Sequence, residues 1–309
     1  MTVIGIIIGI LLLLVIAAGY LLSGFSMQNR PQSLEASRAW QEEHYDFSFY
    51  DALDKKEYTV QSGDGYVLHA LFLQHPHPTG KYILISHGYT DTRFGALKYA
   101  PIYLQEGFSI ITYDLRGHGA NAPTFCTYSI REREDLWAMI RDSRQRYPDA
   151  RVLGIHGESL GAATSVAVLE KKPDIDFVTA DCGFCDIVPV FKVGLKSMHL
   201  PGFLVYLASA WSRIRFGYAF SAMRPIDSLK DNTIPILFMH GAEDHYIVPE
   251  HSERMSRATA GYSEVHLIDG AEHARSVLTD PKRYAETVHA FLEKISKAKN
   301  ALTDKTPAG

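Results

Sequence analysis

The chain has 309 residues, 46% of them hydrophobic, enough to bury one large core or two modest ones. With 31 basic against 35 acidic residues there is no basic stripe, which argues against nucleic acid as a partner. The cysteines, Cys126, Cys182 and Cys185, are too sparse for a disulfide framework. Cys182-Gly-Phe-Cys185 lacks the second pair a zinc site needs and reads as structural thiols, with a local disulfide as the alternative.

Val3 to Leu22 is uninterrupted by charge and dense in Ile and Leu; at 1.5 Å per residue it spans the roughly 30 Å hydrocarbon core of a bilayer. Tyr20 and Phe25 lie where interfacial aromatics sit. A signal peptide would carry a basic n-region and a shorter apolar run, and no Lys or Arg precedes this one, although Ala17-Ala18-Gly19 keeps a cleavage site open. The expectation is a single-pass anchor over residues 1–25 at the cell membrane. Arg30 and Arg38 lean the rest towards the cytoplasm.

Residues 26–54 are polar and mixed, with Trp40, Tyr45, Phe47, Phe49 and Tyr50 scattered among them, and read as a juxtamembrane linker that turns helical and docks. Glu57 to Gln61, a turn through Gly63 and Gly65, and Tyr66 to Leu73 predict a hairpin. Apolar runs at Lys81–Ser86, Phe108–Asp114, Val152–Ile155, Phe177–Asp181, Ile234–His240 and Glu264–Ile268 predict buried strands. Between them, Arg93 to Gly107 has a helical pattern, and Ser129 and Glu132 form a capping box for a helix ending at Tyr147-Pro148. Leu160 to Leu169 reads as a packed helix, and Asp280-Pro281 opens a last one with Tyr284, Val288, Phe291, Leu292 and Ile295 on its core face.

Strands alternating with helices at this spacing predict a mostly parallel sheet covered on both faces, with the hairpin as an antiparallel edge. The domain is expected over 55–298, with 299–309 a disordered tail. Alternation breaks at about 187–229, an aromatic-rich helical insertion expected as a lid over the C-terminal ends of the strands. Within it, Met198, Leu200, Phe203, Tyr206, Trp211 and Phe216 read equally as an acyl pocket or as the lid's own core.

Chemistry centres on Gly157-Glu-Ser-Leu-Gly161. The serine lies on a sharp strand-to-helix turn whose glycines allow a strained backbone, with Glu158 at its variable position. A serine hydroxyl needs a base, and the base an orienting acid. His273 lies in a Gly-containing loop just past the last strand, whereas His266 falls inside a strand and His289 on the last helix. Asp244, at the end of another strand, fits the acid, with Asp181 as the alternative. The oxyanion donors would be the backbone N–H groups of Leu160, after the serine, and Tyr89, after His87-Gly88. His240, Glu243, Asp244 and His245 could also be read as metal ligands, but their spacing is irregular. Arg116 and His118 read as a tight turn.

His87-Gly-Tyr-Thr-Asp-Thr-Arg93, Tyr113-Asp-Leu-Arg-Gly-His-Gly119, the elbow, Gly241-Ala-Glu-Asp244 and Gly270-Ala-Glu-His273 occur in the order found in α/β-hydrolases. Over about residues 58–296 the chain resembles that superfamily, in particular its anchored bacterial branch related to serine aminopeptidases and monoacylglycerol-lipase-like hydrolases. The resemblance implies the α/β-hydrolase fold with a helical lid, an acyl-serine intermediate on Ser159 with His273 and Asp244, and no cofactor or metal. A small-molecule or lipid-like acyl substrate is expected, since Val188 to Ala222 contains no Asp or Glu to hold a peptide's free amine. A serine peptidase of the aminopeptidase type, or a membrane-tethered scaffold without turnover, are the alternatives.

Overall fold

A computed structural model describes residues 2–303. Eight strands, β1 (Lys55–Gln61), β2 (Val67–Leu73), β3 (Lys81–Ser86), β4 (Phe108–Tyr113), β5 (Val152–Glu158), β6 (Phe177–Asp181), β7 (Ile236–Gly241) and β8 (Ser263–Ile268), form one sheet. Their order is β1-β2-β4-β3-β5-β6-β7-β8. Only β2 runs against its neighbours; from β4 to β8 every pairing is parallel. The helices are α1 (Thr2–Met27), α2 (Leu34–His44), α3 (Ser48–Ala52), α4 (Ala100–Gln105), α5 (Ile130–Arg146), α6 (Leu160–Ala167), α7 (Ile187–Ser197), α8 (Leu204–Phe216), α9 (Glu250–Ala258), α10 (Ser276–Thr279) and α11 (Pro281–Thr303).

The sheet is buried on both faces, which is why its central strands read as continuous apolar runs. Along β3, Tyr82 and Leu84 enter a core shared with Leu136 and Met139 of α5 and Val166 of α6. Ile83 and Ile85 enter the opposite core with Tyr99, Ile102, Tyr284 and Phe291. At the start of α5 the Glu132 carboxylate accepts from the backbone of Thr127 and Ser129 at 2.9 and 3.0 Å, satisfying N–H groups the helix leaves open.

Two elements differ from expectation. The helical pattern at Arg93–Gly107 becomes a 3-10 turn (Gly95–Tyr99) followed by the short α4, with Pro101 in its first turn, where a missing N–H costs nothing. The last helix does not stop near Lys297. Residues 299–303, expected as disordered tail, continue α11, aided by a Glu293–Lys297 pair at 2.5 Å and a Lys299–Asp176 pair at 2.6 Å. The remainder of that tail, 304–309, lies outside the described residues.

Helix α1 is long and apolar enough to cross a membrane; a signal sequence passes the same test of length and composition. Val3 to Ile16 stand exposed, whereas Ser23 and Met27 are fully buried. The last turns of α1 pack along α8, in the lid. A Cβ on Gly19 would lie 2.5 Å from the Trp211 ring and 2.6 Å from Leu207, so a small residue is what allows the approach. Tyr20 meets Trp211 edge-on, and Arg215 lies over the Tyr20 ring while Nη1 donates to the Tyr20 carbonyl at 2.6 Å and to Ser23 Oγ at 2.9 Å. Residues 26–54 form no free tether. The Met27 carbonyl accepts from Cys126 N–H at 2.9 Å, and α2 and α3 lie on the domain, with Ser37, Gln41 and Tyr50 buried.

Candidate active site

Strand β5 delivers Ser159 into a backbone conformation of φ 52° and ψ −109°, a strained geometry for a residue with a side chain. The glycines around it make the turn feasible. A Cβ on Gly157 would stand 2.2 Å from the Gly161 carbonyl, and one on Gly161 2.2 Å from that of Ser86. Ser159 N–H donates to the Asp181 carbonyl at 2.8 Å, fixing the turn to β6. Leu160 opens α6, so its N–H has no partner within the helix and forms part of the positive end of the helix dipole.

The structure brings Ser159, His273 and Asp244 into one hydrogen-bonded chain. Ser159 Oγ lies 3.0 Å from His273 Nε2, and His273 Nδ1 donates to Asp244 Oδ2 at 2.6 Å. That second bond places the ring proton on Nδ1 and leaves Nε2 to accept from the serine. Burial pushes the Asp244 carboxyl upward, but hydrogen bonds from His240 and His273 outweigh it and hold it well below the usual carboxylate range. Its other oxygen accepts the backbone N–H groups of Tyr246 and Ile247, both at 2.9 Å. Asp244 is 1% exposed and Ser159 8% exposed, while His273 keeps an open edge.

Asp181, the alternative acid, faces elsewhere. Tyr99 Oη stands 3.0 Å from it and Ser276 Oγ 3.3 Å, and burial, with the Glu158 charge adding to it, raises its carboxyl to about 6. Glu158 is more than the variable position of the elbow: it is buried, ion-paired with Lys98 and hydrogen-bonded by Tyr99 at 2.7 Å. Beneath Ser159 therefore lies a buried polar cluster of Lys98, Tyr99, Glu158 and Asp181. Residues distant in sequence supply it, and no local pattern marks Lys98 as a partner.

Tyr89, expected to offer its N–H to an oxyanion, sits in a loop clamped from two directions. His118 Nε2 donates to the Tyr89 carbonyl, and the Tyr89 hydroxyl donates to the Gln28 carbonyl at the end of α1. Behind it, His87 Nδ1 donates to the Gly88 carbonyl at 2.7 Å and Nε2 accepts from Leu115 N–H at 2.9 Å. Burial, and then His118, push the His87 imidazole down to about 3, so it is neutral, as that pairing requires. Asp114 takes both the backbone N–H of Arg93 at 2.8 Å and its guanidinium at 2.5 Å, while Arg116 pairs with Asp135 and Asp64. The Tyr113–Gly119 turn thus braces the loop that carries Tyr89.

Of the four residues readable as metal ligands, His240 is occupied by Ser252 Oγ and the Ile247 carbonyl, and Glu243 and His245 are exposed. Cys182, Asp244 and His273 bring one ligand atom each within 4.8 Å of one another. Burial pushes the Cys182 thiol well above its ordinary value. Ser159, Cys182 and Ala274, all around this point, have φ of 52°, 48° and 59°, a concentration of backbone strain typical of reactive sites.

Two cavities flank the sheet. The larger, of about 1150 Å³, lies between α11 and the first residues of the strands, including Lys81, Val152 and Phe177, at the end opposite the triad. The smaller, of about 240 Å³, lies under the lid among Leu22, Phe25, Phe191, Leu195, Val205 and Phe220, with Tyr89 and Tyr246 also in its wall. The Tyr246 ring meets the His273 ring edge-on at 5.3 Å. Sites in such sheets form at the carboxyl ends of the strands, the end on which the smaller cavity lies; of the expected site residues only Tyr89 lines it, and Tyr246 links its wall to His273.

Residues 95–299, more than half of the chain, match the prolyl oligopeptidase family. The chain belongs to that family. It is thereby a hydrolase of the α/β-hydrolase type, and the superfamily read from the five motifs is shown. Among relatives of this prolyl oligopeptidase family member, the uncharacterized protein YqkD of Bacillus subtilis (strain 168) is 28% identical over 295 residues, 94% of this chain and 96% of the relative. Among solved structures, the Pyrococcus furiosus esterase Pf2001 superposes with a TM-score of 0.68 at 21% identity, over 87% of this chain and 98% of the esterase. The uncomplexed acylaminoacyl peptidase of Pyrococcus horikoshii superposes with a TM-score of 0.62 at 15% identity, over 82% of this chain and 43% of the peptidase. These similarities establish the shared fold.

Proposed function

We propose that the protein is a serine hydrolase of acyl esters, held at a membrane by α1 and acting through an acyl-serine intermediate. The observation that carries the proposal is the Ser159–His273–Asp244 hydrogen-bond chain beside a small cavity whose wall contains no carboxylate. His273 Nε2 takes the proton of Ser159 as Oγ attacks the acyl carbon. The Leu160 and Tyr89 N–H groups hold the oxyanion, and Asp244 stabilises the imidazolium that forms. His273 then protonates the departing alkoxide, and a water activated by the same nitrogen releases the acid and restores the serine.

Family membership favours a second reading, cleavage of a peptide bond. A peptidase that grips a free N-terminus needs an acidic partner near the nucleophile, and Val188 to Ala222 supplies none. The test is direct. A fluorophosphonate probe should label the wild-type chain and fail on Ser159→Ala and His273→Ala, and p-nitrophenyl esters should be turned over in preference to aminoacyl anilides. Folded wild-type protein that takes no label removes the enzyme reading altogether, and a preference for anilides replaces esterase by peptidase.

A further inference from the structure

We infer that the end of the anchor helix is one wall of the acyl-binding site, so that α1 selects the length of the acyl chain as well as holding the protein. The inference rests on the esterase reading above. Its starting point is the cavity of about 240 Å³ under the lid. One side of it is α7 and α8; the other is Leu22, Phe25 and Ser26, the last turns of α1.

The anchor is built into this position. The last carbonyls of a helix lack partners within it. Here the catalytic domain supplies them: Tyr128 Oη donates to the Ser26 carbonyl at 2.5 Å and Cys126 N–H to that of Met27 at 2.9 Å. One residue further, the Tyr89 hydroxyl donates to the Gln28 carbonyl, and Asn29 Nδ2 donates to those of Thr124 and Arg116 at 2.8 and 3.1 Å. Tyr89 and Tyr128 are themselves part of the cavity wall, their rings stacked with centroids 5.8 Å apart. Two of the groups that fasten the anchor, Tyr89 and Tyr128, therefore also shape the cavity.

Two residues of its wall connect the cavity to the reacting centre. Tyr89 carries a proposed oxyanion donor, and Tyr246 stands between the cavity and His273. An acyl group whose carbonyl oxygen sits on the Leu160 and Tyr89 amides would run its chain past these two rings and along Leu22 and Phe191. No carboxylate lines the way; the charged neighbour is Arg30, exposed and lying over the Phe25 ring at 4.0 Å. At roughly 30 Å³ per water-sized unit, the volume accepts a straight chain of about eight carbons, short of the 300–1,000 Å³ typical of larger ligands. The ligand class is a medium-chain, unbranched acyl ester.

The test uses the full chain in detergent micelles and p-nitrophenyl acetate, butyrate, octanoate and dodecanoate. Leu22→Trp adds bulk from the anchor side, Gly194→Leu adds it from α7, where a Cβ meets nothing within 4 Å, and Leu22→Ala removes it. The expected result is a wild-type optimum at octanoate. Both filling variants should lower the octanoate-to-acetate ratio of kcat/KM by at least about tenfold, the scale of misfit in an apolar pocket, and Leu22→Ala should move the optimum towards dodecanoate. Fluorophosphonate labelling of Ser159 reports that each variant is folded. Ester turnover whose chain-length profile ignores all three substitutions overturns the inference and leaves the esterase reading intact. No ester turnover and no labelling in the wild type overturns the esterase reading itself.

Discussion

In the proposed mechanism the proton on His273 Nδ1 decides whether Ser159 can be activated, and Asp244 holds it there, at 2.6 Å. An asparagine at 244 can present its amide N–H instead, which favours the wrong ring tautomer. Asp244→Asn is expected to lower kcat on a p-nitrophenyl ester by about 10⁴-fold. Asp181→Asn should lower it far less, because that carboxyl faces Tyr99 and Ser276. Equal losses in the two variants would contradict the assignment of the acid. One step further from the chemistry, His118 grips the Tyr89 carbonyl. His118→Ala should cut kcat by up to about 100-fold, the cost of a donor displaced by an ångström, with KM nearly unchanged. The residues around Ser159, Asp244 and His273 were legible in the sequence because each stands on a turn next to an apolar strand, where local spacing carries the signal. The Lys98–Glu158–Asp181 cluster was not, since it joins charges on three elements that only the folded sheet brings together.

Among the elements, α1 was recognisable as a helix and silent about its orientation. A helix apolar all round has no polar face, so nothing in Val3 to Leu22 says which side meets the domain. What settles the contact is small residues, as between helices packed in a bilayer. Gly19 lets Trp211 and Leu207 approach, and Gly24 lies against the Arg215 guanidinium. Gly19→Leu is expected to push α8 away from α1 and loosen the lid. The measurement is limited proteolysis in detergent, with faster cleavage within residues 198–203, the stretch linking α7 to α8; an unchanged digestion rate would show that the packing is not needed. The lid itself was legible as a break in strand–helix alternation, but the position of its aromatics was not. Leu200, Phe203 and Tyr206 are exposed, Met198 lines the cavity, Trp211 packs on α1 and Phe216 against Phe125, so the six lid residues do not act as one set.

For the molecule as a whole, buried titratable groups set the dependence of stability on pH. Burial first of all pushes His87 and His156 down to about 3 and His251 to about 4, against an ordinary value of 6.5. The unfolded chain binds protons at these positions that the folded chain refuses, so their contribution to stability falls as pH drops below about 6.5. Asp135 and Asp181, raised to about 6 chiefly by burial, act with the opposite sign: their contribution is present below the unfolded value of 3.8 and is lost as pH rises through 6. Three histidines outnumber two carboxyls and begin to act at higher pH. The midpoint of thermal unfolding in detergent, followed by near-ultraviolet circular dichroism, should therefore be lower at pH 5 than at pH 7; an equal or higher midpoint would refute this balance. Finally, the stitching of residues 26–29 onto the Tyr89 loop and the Cys126–Tyr128 turn leaves the domain no slack. On the proposed membrane reading, the nucleophile rides at a fixed height above the bilayer and searches a plane instead of a volume. Its rate would then follow the number of substrate molecules per unit of membrane area, and diluting a suspension of vesicles of constant composition would leave turnover on each vesicle unchanged.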